Sequence, residues 1–291
     1  MSEVPSAPWP QGSPPASLGV INATRMGWRL LKSDFWRLWL VAFVEMAVLM
    51  GASMFGFVAV ILVLPPLAAG MVYVVSRRID GGPAELSDLF AGFKQRFGQS
   101  VLGLLPVFLA SLVFSMLLAA TIAVAVILGA TVVGASQQEE EVAIAVAIVG
   151  VLAVLVIGGI LFILVEVFGL FFAFVLPAVW DHPESGWEAA KASARLVRAH
   201  FLPVVGYAVL FWLIGTAAGL VGLLACCVGG FFTGPVVSVW QTATVIYLYR
   251  AWTGQPLVQS VRTPWEVGQG AAPAVAPGGG DSVPPAPVQP A

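Results

Sequence analysis

The stretch that decides the fold is PESGWEAAKASARLVRAHF, which covers residues 183–201. As an α-helix it places its charged side chains on one narrow stripe, because residues three and four apart return to the same face. That stripe consists of Glu188, Lys191, Arg195 and Arg198. The remaining surface is apolar or small and carries Trp187. A helix with these two faces is typical of a membrane interface, where its ring lies among the lipids and its cations lie at the headgroups.

The chain on both sides of this helix is almost uninterruptedly apolar. Of its 291 residues, 59% are hydrophobic and 10% are charged, whereas a soluble domain carries about 25% charged residues. Crossing a membrane takes about 20 apolar residues, and six candidate runs lie at 36–50, 54–75, 101–133, 142–180, 203–228 and 231–249. The sequence therefore predicts an all-α, polytopic transmembrane helical bundle with six spans. We expect the lipid bilayer as its surroundings and no nucleic-acid partner.

Two of the apolar runs are longer than a membrane requires. At 1.5 Å per residue, both 101–133 and 142–180 exceed a hydrocarbon core of about 30 Å. Each run can tilt, project beyond the membrane or break, and Gly158-Gly159 is a candidate position for a break. Eight spans are therefore an alternative to six. An odd number is disfavoured, because splitting only one long run would send half of the cations to the opposite side.

Two further stretches share the design of the 183–201 helix. Residues 18–37 carry Arg25, Arg29 and Lys32 at helical spacing. Residues 84–98, AELSDLFAGFKQRFG, combine an apolar face with Lys94 and Arg96. Three interfacial amphipathic helices would thus each precede a hydrophobic hairpin, in a threefold parallel repeat. The transmembrane domain covers 19–253, with units at about 19–82, 83–182 and 183–253, and the Pro-rich tail 1–18 and the Pro/Ala/Gly-rich tail 254–291 are expected to be disordered.

The cations are segregated along the chain. All thirteen Lys and Arg residues fall on one side of the six-span arrangement, and the opposite side has SQQEEE at 136–141. The positive-inside rule places both termini in the cytoplasm. We expect a basic collar that contacts anionic lipid headgroups, with Trp187 beside it. The collar cations are Arg25, Arg29, Lys32, Lys94, Arg96, Lys191, Arg195 and Arg198.

Several short motifs carry a family resemblance. They are Pro65-Pro66, DLFAGF at 88–93, Pro177 with Asp181, WEAAK at 187–191 and Thr233-Gly234-Pro235. With them the chain resembles a bacterial family of polytopic inner-membrane proteins of unknown function. That family is similar to the membrane domain of some glycerophosphoryl diester phosphodiesterases. The resemblance covers about residues 20–255 and implies a helical, multi-pass protein of the inner (plasma) membrane, but it implies no site residues. Because no catalytic domain is recognised, we do not expect phosphodiesterase activity.

No catalytic motif is found in the sequence, so we expect a protein that is not an enzyme and that has no cofactor or metal. His182 and His200 lack the spacing of metal ligands. Cys226 and Cys227 are adjacent in an apolar run and are interpreted as small buried side chains.

Two carboxylates interrupt the apolar runs. Glu45 and Glu166 lie inside predicted spans, where a carboxylate is costly and is a candidate for function. The alternative is that each simply bridges two helices by a hydrogen bond. The favoured hypothesis is a non-enzymatic membrane protein whose collar engages anionic lipid, a partner protein or a second copy of the chain. The alternative hypothesis is a small transporter or channel that uses both glutamates.

Overall fold

A computed structural model describes residues 18–135, 140–182, 185–224 and 228–255. The expectations for most of the two tails, for SQQE at 136–139 and for Cys226-Cys227 lie outside the described residues.

The described residues form helices joined by short turns, with no strand among them. The helices are α1 (Val20–Ser33), α2 (Phe35–Ser53), α3 (Phe57–Ile79), α4 (Ala91–Gln95), α5 (Phe97–Ala135), α6 (Glu140–Leu170), α7 (Val175–Asp181), α8 (Gly186–Ala199), α9 (Phe201–Leu224) and α10 (Val228–Thr253), and a 3-10 turn at Leu86–Phe90 precedes α4. Six segments are long and apolar enough to cross a membrane, namely α2, α3, α5, α6 with α7, α9 and α10. The predicted all-α bundle with six spans is confirmed.

The long helices form three hairpins, and a short helical segment precedes each of them. The second arms of the hairpins, α3, α7 and α10, meet in the middle of the bundle. The 3-10 turn and α4 pack on α3, α8 packs on α7, and α1 packs on α10. Helix α1 thus joins the start of the chain to its last span. The order of elements follows the three predicted units, whereas their origin as copies of one sequence stays a prediction.

The core is formed mainly by these second arms. On α3, Leu67, Val74 and Ile79 are fully buried, and Tyr247 and Leu248 are buried on α10. The α5–α6 hairpin has a different environment, because most of its apolar side chains are exposed along both arms. Its arms are about 58 Å and 46 Å long at 1.5 Å per residue. The long predicted runs are therefore one continuous helix in α5 and a broken segment in α6–α7.

The break in the fourth span lies at 171–174, away from the glycine pair 158–159. Helix α6 continues through the glycines, and the chain turns after Leu170. Ser193 of α8 closes the gap, since its hydroxyl donates to the Phe171 carbonyl at 2.8 Å and accepts from the Phe174 N–H at 3.1 Å. A break in an apolar span requires such partners for the freed backbone groups. Pro177 also favours it, because proline cannot donate to the preceding turn.

The first hairpin turn lies later than the predicted Gly51-Ala52-Ser53. Helix α2 continues through these residues and the chain reverses at 54–56. Gly56 has a φ of 89°, in the left-handed region that glycine adopts without steric cost. The turn therefore depends on Gly56.

The amphipathic stretch at 84–98 is divided between the 3-10 turn and the short α4. Gly92 lies against the Pro66 carbonyl of α3 with no room for a Cβ atom. Leu89 is fully buried, and Asp88 accepts from Arg77 at 2.6 Å. Close packing on α3 thus replaces the continuous interfacial helix that the sequence predicts here.

Candidate functional site

Ion pairs connect the ends of several spans on one side of the bundle. Arg78 Nε at the end of α3 lies 3.4 Å from the carboxylate of Asp34, between α1 and α2. Arg250 near the end of α10 donates to both carboxylate oxygens of Asp80, at 2.6 and 2.9 Å. Bidentate contacts between arginine and a carboxylate fix the relative position of the two groups. The start of α2 and the ends of α3 and α10 therefore share one face of the molecule.

The end of α7 joins the same face through Asp181. Its Oδ2 atom accepts from the Tyr249 hydroxyl and from Gln255 Nε2, both at 2.6 Å. A cavity of about 180 Å³ lies beside these groups, and Ser76 and Arg250 also line it. The second arms of all three hairpins thus meet at a polar end, which we call the polar face.

Helix α8 packs tightly on this side of the bundle. Ser185 caps it by accepting from the Trp187 N–H at 3.2 Å, and Gly186 lies against the Gln99 carbonyl of α5 with no space for a Cβ atom. Its inner face is buried and consists of Gly186, Ala189, Ala190, Ser193 and Val197. The outer face is exposed and carries Trp187, Lys191, Arg195 and Arg198.

Helix α1 is arranged in the same way on α10. The Thr24 carbonyl accepts from Trp240 Nε1 at 2.8 Å, and a Cβ atom on Gly27 would lie 2.9 Å from the hydroxyl oxygen of Thr244. The exposed residues on its outer face include Arg25, Arg29 and Lys32. Both basic helices therefore bury one face in protein and turn their cations outward.

Some collar cations have partners within the protein. Lys191 Nζ lies 2.6 Å from the Glu188 carboxylate, and this hydrogen bond lowers the pKa of Glu188. Lys32 Nζ lies 5.2 Å from the centroid of the Trp28 ring, which is within range of a cation–π interaction. These two charges are therefore partly engaged before any outside group binds.

Of the six remaining collar cations, two also interact within the protein. Arg96 is half-buried and its guanidinium lies 5.6 Å from the Trp180 ring centroid, so it belongs with the engaged group. Arg195 is exposed and attracts the Glu188 carboxylate. Four exposed cations form no ion pair among the residues that the structure describes, and we call them the open cations: Arg25, Arg29, Lys94 and Arg198.

The structure places the two intramembrane glutamates in different surroundings. Glu45 of α2 is 8% exposed, and its Oε2 atom accepts from the Ser238 hydroxyl of α10 at 3.4 Å. This contact joins two helices and favours the structural alternative for Glu45. Glu166 of α6 lines a cavity of about 510 Å³ that Glu45 does not line. The described residues thus show no contact that would make the two glutamates one site.

The cavity beside Glu166 lies among α3, α6, α7, α9 and α10. Tyr207 of α9 is 4% exposed, and its hydroxyl lies beside the Gln241 side chain. Gln241 and Glu166 are themselves exposed on the cavity wall. Gln241 stands nine residues before Arg250, or about 14 Å along the helix. The helices that line the cavity all belong to segments long and apolar enough to cross a membrane.

The family match covers most of the chain. The family described as "Domain of unknown function (DUF7847)" matches residues 19–264, which includes all six spans. The chain belongs to the DUF7847 family. This confirms the expected family of unknown function, whereas the likeness to a phosphodiesterase membrane domain stays a prediction.

One curated relative of this DUF7847 chain is the "Uncharacterized protein Rv2560" of Mycobacterium tuberculosis (strain ATCC 25618 / H37Rv). It is 33% identical over 119 residues, which is 40% of this chain and 34% of the relative. The match thus spans about a third of the relative's length. No solved structure matches the chain.

Sequence reasoning identified Glu166 but missed the other polar groups of the cavity in this DUF7847 protein. Gln241 is an amide inside an apolar run, and polar residues at membrane depth are a recognised signal of a site. Tyr207 gives no comparable signal, because tyrosines are common near membrane surfaces. Only the packing of α9 beside α10 brings the two side chains to one cavity.

Proposed function

We propose that this DUF7847 protein is a non-enzymatic, multi-pass protein of the inner membrane that holds anionic lipid headgroups on its cytoplasmic face. The observation that carries the proposal is the set of open cations on the outer sides of α1, α4 and α8. They stand on segments whose opposite side is packed against the bundle, so the cations are held in place and directed outward. Exposed cations without an internal partner are available to an external anion.

The orientation follows from the distribution of charge. Arg78 and Arg250 lie at the ends of α3 and α10 and pair with Asp34 and Asp80, and cytoplasmic segments carry an excess of Lys and Arg. The polar face is therefore assigned to the cytoplasm, together with both termini. Trp187 is 55% exposed, and a tryptophan at this level is suited to the headgroup region.

The contribution of each collar cation to the binding of anionic lipid can be bounded. A Lys or Arg near an anionic leaflet contributes about 1 kcal/mol, and the attraction is screened beyond about 8–10 Å at physiological ionic strength. The open cations should account for most of the preference for anionic over neutral lipid. The engaged cations should contribute less, because Glu188, Trp28 and Trp180 already interact with them.

Electron spin resonance of spin-labelled lipids tests the proposal on the full chain in bilayers. The wild type should immobilise phosphatidylglycerol in preference to phosphatidylcholine, and added salt should reduce this preference. Replacing three open cations, by Arg25→Gln, Arg29→Gln and Arg198→Gln together, should lower the preference about fivefold or more, since a loss of about 1 kcal/mol already corresponds to about fivefold.

The matched control changes the same number of charges among the engaged cations, by Lys32→Gln, Lys191→Gln and Arg96→Gln together. It should lower the preference for phosphatidylglycerol clearly less. An unchanged preference in the open-cation variant, or an equal loss in both variants, would contradict the proposed role of the open cations.

A further inference from the structure

The cavity beside Glu166 is lined by an acidic side chain and, among the described residues, by no basic one. Among the described residues that line it, Glu166 is the only Asp, Glu, Lys, Arg or His. Gln241, Thr242 and Tyr207 supply neutral polar groups to the same cavity. A molecule that enters it therefore meets a carboxyl group and no Lys, Arg or His. Such a site favours a positively charged occupant.

Aromatic rings provide a second feature of the cavity. Tyr207, Phe211 and Trp212 of α9 line it, and the ring centroids of Tyr207 and Phe211 are 5.0 Å apart. Aromatic faces attract cations, most strongly where water is excluded. Apolar side chains from α6 and α7, such as Leu170 and Leu176, complete the wall. Rings and aliphatic groups together suit a cation with apolar substituents.

A metal ion fits this cavity less well. No group of three His, Cys, Asp or Glu side chains able to hold a metal occurs in the described part of the chain. The cavity volume of about 510 Å³ also lies within the range of about 300–1,000 Å³ that is usual for small organic ligands.

We propose that this cavity binds a lipophilic organic cation, such as a quaternary ammonium or phosphonium ion with apolar substituents. Glu166 provides the counter-charge, and Tyr207, Phe211 and Trp212 contact the substituents. Glu166, Gln241 and Trp212 are exposed at the cavity wall, on segments long and apolar enough to cross a membrane. Such a cation already partitions into the bilayer and can enter from the side. The site shares no residue with the basic collar.

Equilibrium binding of radiolabelled tetraphenylphosphonium to the full chain in nanodiscs tests the proposal. Saturable binding above that of empty nanodiscs is expected for the wild type. Glu166→Gln keeps the shape of the side chain and removes its charge, so the affinity should fall at least tenfold. Glu45→Gln makes the same chemical change outside the cavity and should leave the affinity unchanged. Unlabelled tetraphenylborate, which has a similar shape and the opposite charge, should not compete.

A cavity-filling variant gives an independent test if Glu166→Gln does not fold. Ala208 lines the cavity, and Ala208→Phe should reduce binding while Glu166 is retained. Size-exclusion chromatography and helical circular dichroism would establish that each variant is folded. The proposal is overturned if the wild type shows no saturable binding, if folded Glu166→Gln or Ala208→Phe binds as the wild type does, or if Glu45→Gln weakens binding as much as Glu166→Gln.

Discussion

Ser193 is the residue on which the break between α6 and α7 depends. It is fully buried, it accepts from the Phe174 N–H at 3.1 Å, and it donates to the Phe171 carbonyl at 2.8 Å. Ser193→Ala removes both hydrogen bonds, of which the one from the Phe174 N–H is buried and the one to the Phe171 carbonyl is partly buried. Each buried group left without a partner costs about 1–3 kcal/mol. We therefore expect a loss of about 2–4 kcal/mol in the free energy of unfolding.

Titration of the full chain in mixed micelles with sodium dodecyl sulfate would measure this loss, with circular dichroism as the signal. Ser33→Ala is the matched control, because the Ser33 hydroxyl is exposed and donates only to the Leu30 carbonyl of its own helix. Its effect should stay within about 0.5 kcal/mol. A Ser193→Ala variant that unfolds at the same detergent fraction as the control would refute the assigned role of Ser193.

Two further predictions concern contacts that hold the short segments and the polar face together. Gly92→Ala would press a Cβ atom against the Pro66 carbonyl and should destabilise the chain by about 1–3 kcal/mol or more. Gly98→Ala is the control, because no atom lies within 4 Å of its Cβ position, and it should be neutral or slightly stabilising in the same detergent titration. Equal effects of the two variants would contradict the packing described for Gly92. A double-mutant cycle with Asp80→Asn and Arg250→Gln should give a coupling of about 1 kcal/mol, since Asp80 is half exposed. A coupling near zero would mean that this ion pair does not hold α3 to α10.

The number of spans could be predicted because few backbone structures are stable inside a bilayer. Apolar runs long enough to cross must be helical, since their backbone groups have no water to bind. The predicted run 203–228 thus corresponds to α9, Phe201–Leu224. The break at 171–174 was not predicted, because it depends on Ser193, which lies 19 residues beyond Phe174. Glycines such as Gly158 suggest a break in sequence but are tolerated inside a membrane helix.

The candidate sites were predicted only in part. Charge and hydropathy identify Glu166 and the collar cations one residue at a time. They do not say that Arg96 lies over Trp180, since this contact joins residues far apart in the chain. The cavity follows from the same kind of long-range packing, which brings Tyr207 and Gln241 together. Periodicity within one helix cannot predict which neighbour fills the space beside it.

The cytoplasmic position of the collar can be measured directly by thiol labelling. Single cysteines would replace Lys94, an open cation, or Gln138, in the connection between α5 and α6, in a chain whose Cys226 and Cys227 are changed to alanine. A membrane-impermeant maleimide added to intact spheroplasts should label position 138 and should reach position 94 only after lysis. Labelling of position 94 in intact spheroplasts, with position 138 protected until lysis, would place the open cations outside and contradict the proposed function.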